Sequence, residues 1–146
     1  MFLRGVLVGW VSLLIGIAAV GLLAKALSQT YAVATITSWH FDREKDYNEN
    51  NLGLGLEHRL SENWSVSTGF FRNSFYRNTN YLFAGYTPIE ISGWRAGVVM
   101  GGVTGYEEGM SPWFTGVATR DFGRIGINIV LSPVGMALQL KVRIDK

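Results

Sequence analysis

The sequence predicts an all-β fold: an eight-stranded antiparallel up-and-down β-barrel preceded by an apolar N-terminal helix or signal peptide. Three observations support this prediction. After residue 30, apolar and polar residues alternate with a period of two, which is typical of strands with two different faces. Glycine reaches 18 residues and aromatic residues 13%, while proline is limited to 3, a composition that favours sheet. The 146 residues suffice for one domain with spanning strands of ~9–11 residues and short connections.

Composition excludes several classes of function. The chain has no cysteine, so neither a disulfide framework nor a thiolate metal site is possible. The net charge of +2 is small and no run of five Lys or Arg residues occurs, so no nucleic-acid partner is expected. The two histidines lack the spacing of a zinc site, and we expect neither a metal nor another cofactor.

An apolar segment opens the chain. Residues 6–24 form an uncharged run behind Arg4, long enough to cross a bilayer as a retained anchor. The run also fits a secretory signal peptide, with Ala24-Lys25-Ala26 as its small-x-small cleavage site. Cleavage is favoured because a membrane barrel must be exported. Residues 1–28 are therefore assigned to a signal peptide or transmembrane anchor, and residues 29–146 to the barrel domain.

The alternation gives each strand an inner and an outer face. In the first strand the odd-numbered residues from Val33 to Phe41 form the more apolar face, so His40 is expected to point into the barrel. In the second strand Leu52, Leu54 and Leu56 share one face. The even-numbered residues of the eighth strand are apolar and oppose Gln139 and Lys141. The predicted strands lie near residues 31–42, 51–59, 63–74, 79–87, 93–104, 112–121, 123–131 and 136–145.

The outer face indicates a membrane rather than water. It is nearly free of charge in mid-strand, whereas the inner face is rich in glycine and includes cations. Tryptophans near strand ends would form the aromatic girdles of a membrane barrel. These tryptophans are Trp39, Trp64, Trp94 and Trp113.

Connection lengths point the same way. The predicted connections at one end of the barrel are long and those at the other end short, as in outer-membrane barrels. We therefore expect a monomer in the outer membrane of a Gram-negative cell. Two alternatives stay open: a soluble lipocalin-like barrel, and a periplasmic lipid-binding barrel tethered by a retained N-terminal helix. The long connections are residues 43–50, 75–78, 105–111 and 132–135.

One rim of this barrel collects a histidine and a serine. The first and third strands run in the same direction, so His40 and Ser74 reach the same end, with Asn73 beside the serine. A serine hydroxyl becomes a useful nucleophile for acyl transfer when a base takes its proton and a third group orients the base. The alternative is a rim histidine that is hydrogen-bonded in a polar loop.

The loop and the lumen offer candidate binding residues for lipid. Arg43 and Lys45 are placed to contact lipid phosphates, although such alternating charges are also usual in a solvated loop. Inward glycines would remove side-chain volume and leave a slot for an acyl chain, or would only relieve crowding in a tight barrel. The glycines concerned are Gly53, Gly55, Gly69, Gly97, Gly101 and Gly116. A polar floor is expected from Glu57, Arg95, Lys141 and Arg143.

Short motifs over residues 37–144 resemble, in collinear order, the lipid A palmitoyltransferases of the PagP type. The motifs that carry the resemblance are Trp39-His40, residues 42–45, Tyr47-Asn48-Glu49, residues 53–56, Phe71-Arg72-Asn73-Ser74, Ala84-Gly85-Tyr86, Gly102-Val103-Thr104 and residues 122–133.

The resemblance implies an outer-membrane barrel that encloses an acyl-chain pocket and moves a palmitoyl group from a phospholipid donor to lipid A or a related acceptor, without a metal. His40 matches the catalytic histidine and Ser74 the catalytic serine, and Tyr47 joins the substrate-binding residues of the loop. The family's acidic residue before the serine is Asn73 here, which would orient the histidine as a neutral amide. The alternative is a non-catalytic barrel whose site has degenerated at Asn73.

Overall fold

The computed structural model describes residues 28–146 and confirms the all-β prediction with an eight-stranded antiparallel closed barrel. Each strand pairs with its sequence neighbours, and the first strand pairs with the last to close the barrel. The strands are β1 (Gln29–His40), β2 (Gly53–Arg59), β3 (Trp64–Arg72), β4 (Asn78–Ile91), β5 (Trp94–Thr104), β6 (Met110–Phe122), β7 (Ile125–Ser132) and β8 (Gly135–Arg143).

The predicted signal peptide or anchor lies outside the described residues. Within residues 28–146 no helix is long and apolar enough to cross a membrane. Most strands begin and end within a few residues of their predicted positions. The largest difference is β4, which continues to Ile91. A register shift against β5 between Tyr86 and Ile89 leaves Pro88 outside the ladder, where its missing N–H group removes no interstrand hydrogen bond.

The outward face of the barrel is apolar between the two rims. Leu54 on β2 is 62% exposed, Ile125 on β7 57% and Leu140 on β8 43%, in agreement with the alternation predicted for these strands. Charged residues of the strands point inward, as Lys141 does, or lie near a rim, as Arg120 does. The barrel therefore presents an uncharged belt to its surroundings.

In β1 the alternation changes face part-way along the strand. Val33 and Thr35 are buried in the lumen, opposite to the prediction, whereas Trp39 is exposed and His40 points inward as expected. The pairing with β8 shifts between Thr35 and Thr37, which is the signature of a β-bulge. The extra residue at the bulge reverses the alternation in the half of the strand that leads to His40, so that its even-numbered residues face the lumen. The inward orientation of His40 is thus confirmed, but the single apolar face assigned to residues 33–41 is wrong.

The two ends of the barrel differ in the length of their connections. We call the end that carries residues 41–52, 73–77, 105–109 and 133–134 the upper rim, and the end that carries residues 60–63, 92–93 and 123–124 the lower rim. Trp39 at the upper rim and Trp64 at the lower rim are exposed on the outer face, as predicted for girdle residues. Trp113 instead points into the lumen and packs on Tyr106, because the alternation of β6 places it on the same face as the buried Thr115.

The lower half of the lumen is filled by a charge cluster. Lys141 is fully buried, and its Nζ lies 2.9 Å from Glu57 Oε1 and 3.2 Å from Asp121 Oδ1. Arg59 Nη1 lies 2.8 Å from the second oxygen of Asp121. The predicted polar floor therefore forms, with Arg59 and Asp121 in it. The other two residues predicted for it pair nearer the lower rim, Arg95 with Asn63 and Arg143 with Asp145.

Candidate active site

His40 and Ser74 form a hydrogen-bonded pair at the upper rim. His40 is the last residue of β1, and Ser74 lies two residues after the end of β3. The Nε2 of His40 lies 2.8 Å from the Oγ of Ser74. His40 is only 7% exposed and Ser74 is half-buried, so the imidazole is sheltered from bulk water although it lies at the rim. This is the geometry in which an imidazole can take the proton of a serine hydroxyl.

Asn73 builds the turn that presents Ser74. Its Oδ1 accepts hydrogen bonds from the backbone N–H groups of Phe75 and Arg77, at 2.9 and 3.0 Å. Its Nδ2 donates to Thr79 Oγ1 and to the carbonyl of Gly105, both at 3.0 Å. The side chain is fully buried. These contacts occupy both ends of the amide, so the role expected for Asn73 as the group that orients His40 is corrected: Asn73 holds the turn.

Glu49 takes the position beside the histidine. Its Oε1 lies 3.8 Å from the Nδ1 of His40 and accepts the backbone N–H of the same residue at 3.1 Å. Arg43 Nη1 approaches the same oxygen at 2.5 Å. The N–H of His40, followed by the Arg43 guanidinium, lowers the pKa of the Glu49 carboxyl, which therefore carries a negative charge at neutral pH. Sequence reasoning named Glu49 only within the motif Tyr47-Asn48-Glu49 and gave it no role.

Tyr47 packs directly on the histidine. The two ring centroids lie 4.2 Å apart with an interplanar angle of 23°, a stacked arrangement that fixes the imidazole plane. From Tyr47 a series of aromatic contacts crosses the rim to Phe75 at 5.9 Å and from there to Tyr106 at 6.0 Å. Burial raises the pKa of Tyr106 to about 12, so its hydroxyl stays neutral. Tyr47 therefore contacts the predicted catalytic base and begins an aromatic roof over the lumen.

Beneath this roof lies an apolar cavity of about 300 Å³, which His40 and Ser74 both border. That volume falls at the lower end of the range of small-molecule pockets, roughly 300–1,000 Å³. At its lower limit the rings of Tyr81 and Phe83 stack at a centroid distance of 5.1 Å, above the charge cluster. The reactive pair therefore sits at the mouth of an apolar chamber. Its deeper lining includes Phe71, Tyr81, Phe83, Val103, Trp113 and Val130.

None of the six glycines predicted to line an acyl slot borders this cavity, and Gly116 faces outward, because its neighbours Thr115 and Val117 are the buried residues of β6. A Cβ atom added to Gly53, Gly97 or Gly101 would collide with the backbone of the neighbouring strand. A Cβ added to Gly69 would lie 2.8 Å from the Tyr81 hydroxyl, and Gly55 adjoins the same hydroxyl. Their small size permits close strand packing and makes room for Tyr81. The cavity itself is shaped by aromatic and aliphatic side chains, so the prediction that these glycines form the slot is corrected.

The two cations of the β1–β2 loop are accessible but paired. The Arg43 guanidinium binds Glu49 and also covers the ring of Trp39, 4.6 Å from its centroid. Lys45 Nζ lies 3.5 Å from Asp42 Oδ2. Both cations border an open depression beside Tyr47 on the upper rim. Their contact with lipid phosphate stays a prediction.

No family model and no curated protein matches the sequence. Among solved structures the chain is similar to the de novo designed protein TMB2.3, determined by solution NMR. The TM-score is 0.57 at 16% sequence identity, and the match covers 83% of this chain and 98% of the designed one. At this level of identity the likeness shows the fold, an eight-stranded barrel, and carries no information on activity.

Proposed function

We propose that the protein is a membrane-embedded acyltransferase that moves a fatty acyl chain from a phospholipid to lipid A or a related lipid. One observation carries this proposal: the 2.8 Å contact between His40 and Ser74 lies at the mouth of an apolar cavity. A base, a hydroxyl and a chamber for an aliphatic chain are the parts that acyl transfer between lipids requires. The resemblance to the PagP-type enzymes at the same residues supports the same reaction.

A membrane position is supported by the outer surface. Large apolar side chains such as Leu54, Phe114 and Ile125 are more than half exposed on the outward face. In water, so much exposed apolar surface would favour aggregation, whereas a bilayer would cover it. At the lower rim Arg120, a type of side chain that is favoured at membrane interfaces, has its guanidinium 5.1 Å from the ring centroid of the exposed Phe122. The longer connections lie at the upper rim, as the outside loops of outer-membrane barrels do, and this supports an orientation with the reactive pair at the outer leaflet of a Gram-negative outer membrane.

The reaction follows from the positions of the two side chains. The acyl chain of the donor enters the cavity, and its ester carbonyl lies beside Ser74. His40 Nε2 takes the Ser74 proton as Oγ attacks the carbonyl, and the imidazolium returns this proton to the departing lysophospholipid oxygen. A hydroxyl of the acceptor lipid then attacks the acyl-serine and gives its proton to His40 Nε2. The ester bond to Ser74 breaks, and the imidazolium returns this proton to the departing Oγ of Ser74. If Ser74 acts only as a polarising hydroxyl, the acceptor hydroxyl attacks the donor ester directly. His40 then takes the proton of the acceptor hydroxyl and gives it to the departing lysophospholipid oxygen.

Donor and acceptor headgroups would lie on the upper rim. Arg43, Lys45 and Tyr47 border the depression beside the reactive pair, and the two cations match the charge of lipid phosphates. Up to ~0.8 kcal/mol per methylene buried in the cavity would add to this attraction. No cofactor takes part in the scheme.

The proposal is tested with purified protein in vesicles that contain a palmitoyl phospholipid and lipid A. We expect the mass of lipid A to increase by one palmitoyl group, and the increase to disappear in His40→Ala. Ala137→Phe would fill the cavity from the inner face of β8 and should also abolish transfer, whereas the matched Ala118→Phe on the outer face should not. Absence of transfer by the wild type would favour a non-catalytic lipid-binding barrel.

A further inference from the structure

The imidazole of His40 has one nitrogen engaged and one without a partner. Nε2 contacts the Ser74 hydroxyl, whereas Nδ1 is buried and makes no hydrogen bond within residues 28–146. A neutral imidazole that accepts the serine proton on Nε2 must carry its own proton on Nδ1. A buried N–H without an acceptor is costly, and it leaves the ring free to adopt the other tautomer. The proposed chemistry therefore requires an acceptor at Nδ1.

Glu49 is placed to be that acceptor. Its Oε1 lies 3.8 Å from Nδ1, and it is held there by the backbone N–H of His40 and by Arg43. The remaining faces of the ring meet Tyr47, which stacks on it, and Ser74. The buried amide next to the serine is committed to its own turn and to Thr79 and Gly105. A shift of about 1 Å would convert the Glu49 contact into a hydrogen bond.

We propose that Glu49 is the positioning residue of the His40–Ser74 pair, a role that rests on the proposed function. Glu49 holds the Nδ1–H tautomer, so that Nε2 faces the serine as a proton acceptor. When the Ser74 proton moves to Nε2, the carboxylate stabilises the imidazolium by its charge. Glu49 acts through His40 and takes no part in the bonds that form or break. In this site the acidic partner of the histidine comes from the β1–β2 loop and not from the residue before the serine.

Selective ¹⁵N labelling of histidine gives a test that does not depend on turnover. The chain has two histidines, and His58 lies at the lower rim with its Nδ1 2.9 Å from Thr30 Oγ1, so it serves as an internal reference. The ring tautomers are measured in the full-length protein in detergent micelles for wild type, Glu49→Ala and Glu49→Gln. The matched control is Glu44→Ala, which removes one carboxylate from the same loop.

We expect His40 to be mainly the Nδ1–H tautomer in the wild type and in Glu44→Ala. In Glu49→Ala the ratio should move about threefold or more toward Nε2–H, while Glu49→Gln, which keeps an oxygen acceptor, should restore the wild-type ratio. The signals of His58 should not change. A tautomer ratio in Glu49→Ala equal to that in Glu44→Ala would overturn the inference.

Kinetics give the second readout. With transfer established, we expect kcat to fall about tenfold in Glu49→Ala with little change in KM, because the carboxylate acts after the substrate has bound. In Glu49→Gln the acidic limb of the kcat profile should move to lower pH, because the imidazolium loses a neighbouring negative charge. If both variants kept the wild-type kcat and the wild-type pH profile, the positioning role of Glu49 would be contradicted. If the wild type transfers nothing but the tautomer responds to Glu49, the proposed function fails and the positioning contact stands.

Discussion

The Nε2 of His40 lies 2.8 Å from the Oγ of Ser74, although 34 residues separate them along the chain. β1 and β3 are not neighbours in the barrel, because β2 lies between them. Both strands run toward the upper rim, and the loops that follow them, residues 41–52 and 73–77, both contribute to the lining of the upper cavity. The backbone N–H of Asn48 donates to the carbonyl of Ser74 at 2.9 Å and joins the two loops.

The buried amide of Asn73 leads to the first prediction. Asn73→Asp keeps the oxygen that caps the turn but replaces two donated hydrogen bonds with a carboxylate that faces the Gly105 carbonyl. We expect destabilisation by about 1–3 kcal/mol and no gain in acyl transfer. Urea unfolding in detergent and the lipid A mass assay measure the two effects. Higher activity in Asn73→Asp would instead mean that this position had lost a catalytic acid.

The charge cluster in the lower lumen gives the second prediction. Lys141→Met leaves Glu57 without its cation and Asp121 with Arg59 alone, so we expect destabilisation by about 3–5 kcal/mol. The double variant Lys141→Met/Glu57→Gln should recover part of this loss, because it removes the uncompensated charge. Lys45→Met, in the exposed loop, is the control and should leave stability nearly unchanged, because an exposed ion pair contributes little. Equal effects of the two lysine substitutions would contradict the cluster's role.

The outer belt gives the third prediction. Leu140 lies mid-strand on the outward face, whereas Ile144 follows the end of β8 near the lower rim. In a bilayer, Leu140→Arg should cost about 2–4 kcal/mol and Ile144→Arg about 0–1 kcal/mol. Unfolding is measured in phospholipid vesicles. If the barrel faced water, both exposed positions would tolerate arginine within about 0.5 kcal/mol, and the membrane position would be refuted.

The fourth prediction concerns pH. The pKa of Glu49 is held below its ordinary value of 4.5 by the N–H of His40 and by Arg43. A lowered folded-state pKa means that the carboxylate stabilises the folded loop above the unfolded value, and that this contribution is lost as the pH falls through the folded value. The β1–β2 loop should therefore stay in place down to pH 4.5 and loosen only below it. Carboxyl ¹³C titration of Glu49 measures this, and Arg43→Met should move the midpoint upward. A wild-type midpoint above 4.5 would contradict the contacts.

The alternation of inward and outward residues along the strands could be predicted from the sequence. In β8 every second residue from Leu138 to Val142 is apolar, and a period of two requires those residues to share one face. Strand direction then placed His40 and Ser74 at one rim. The bulge in β1 could not be predicted from the sequence, because the extra residue reverses the faces of Val33 and Thr35 and no residue type at that point indicates it.

The contacts within the upper rim were harder to predict. Residue type suggested that Asn73 would orient a histidine, but the amide bonds to the backbone of its own turn, a local preference of asparagine that competes with any longer contact. Glu49 lies in a loop without periodicity, so nothing in the pattern gave its direction. The glycines did not indicate the cavity, because the space left by a missing side chain can be occupied by a neighbouring side chain. At Gly69 that neighbour is Tyr81.

The most direct test of the central claim compares two serine variants in one assay. Initial rates of palmitoyl transfer to lipid A are measured in vesicles for wild type, Ser74→Ala and Ser61→Ala, the last at the lower rim, where Ser61 Oγ accepts the backbone N–H of Trp64. We expect Ser61→Ala to keep the wild-type rate and Ser74→Ala to lose at least about a thousandfold. A Ser74→Ala rate equal to that of Ser61→Ala would contradict a catalytic role for the His40–Ser74 pair.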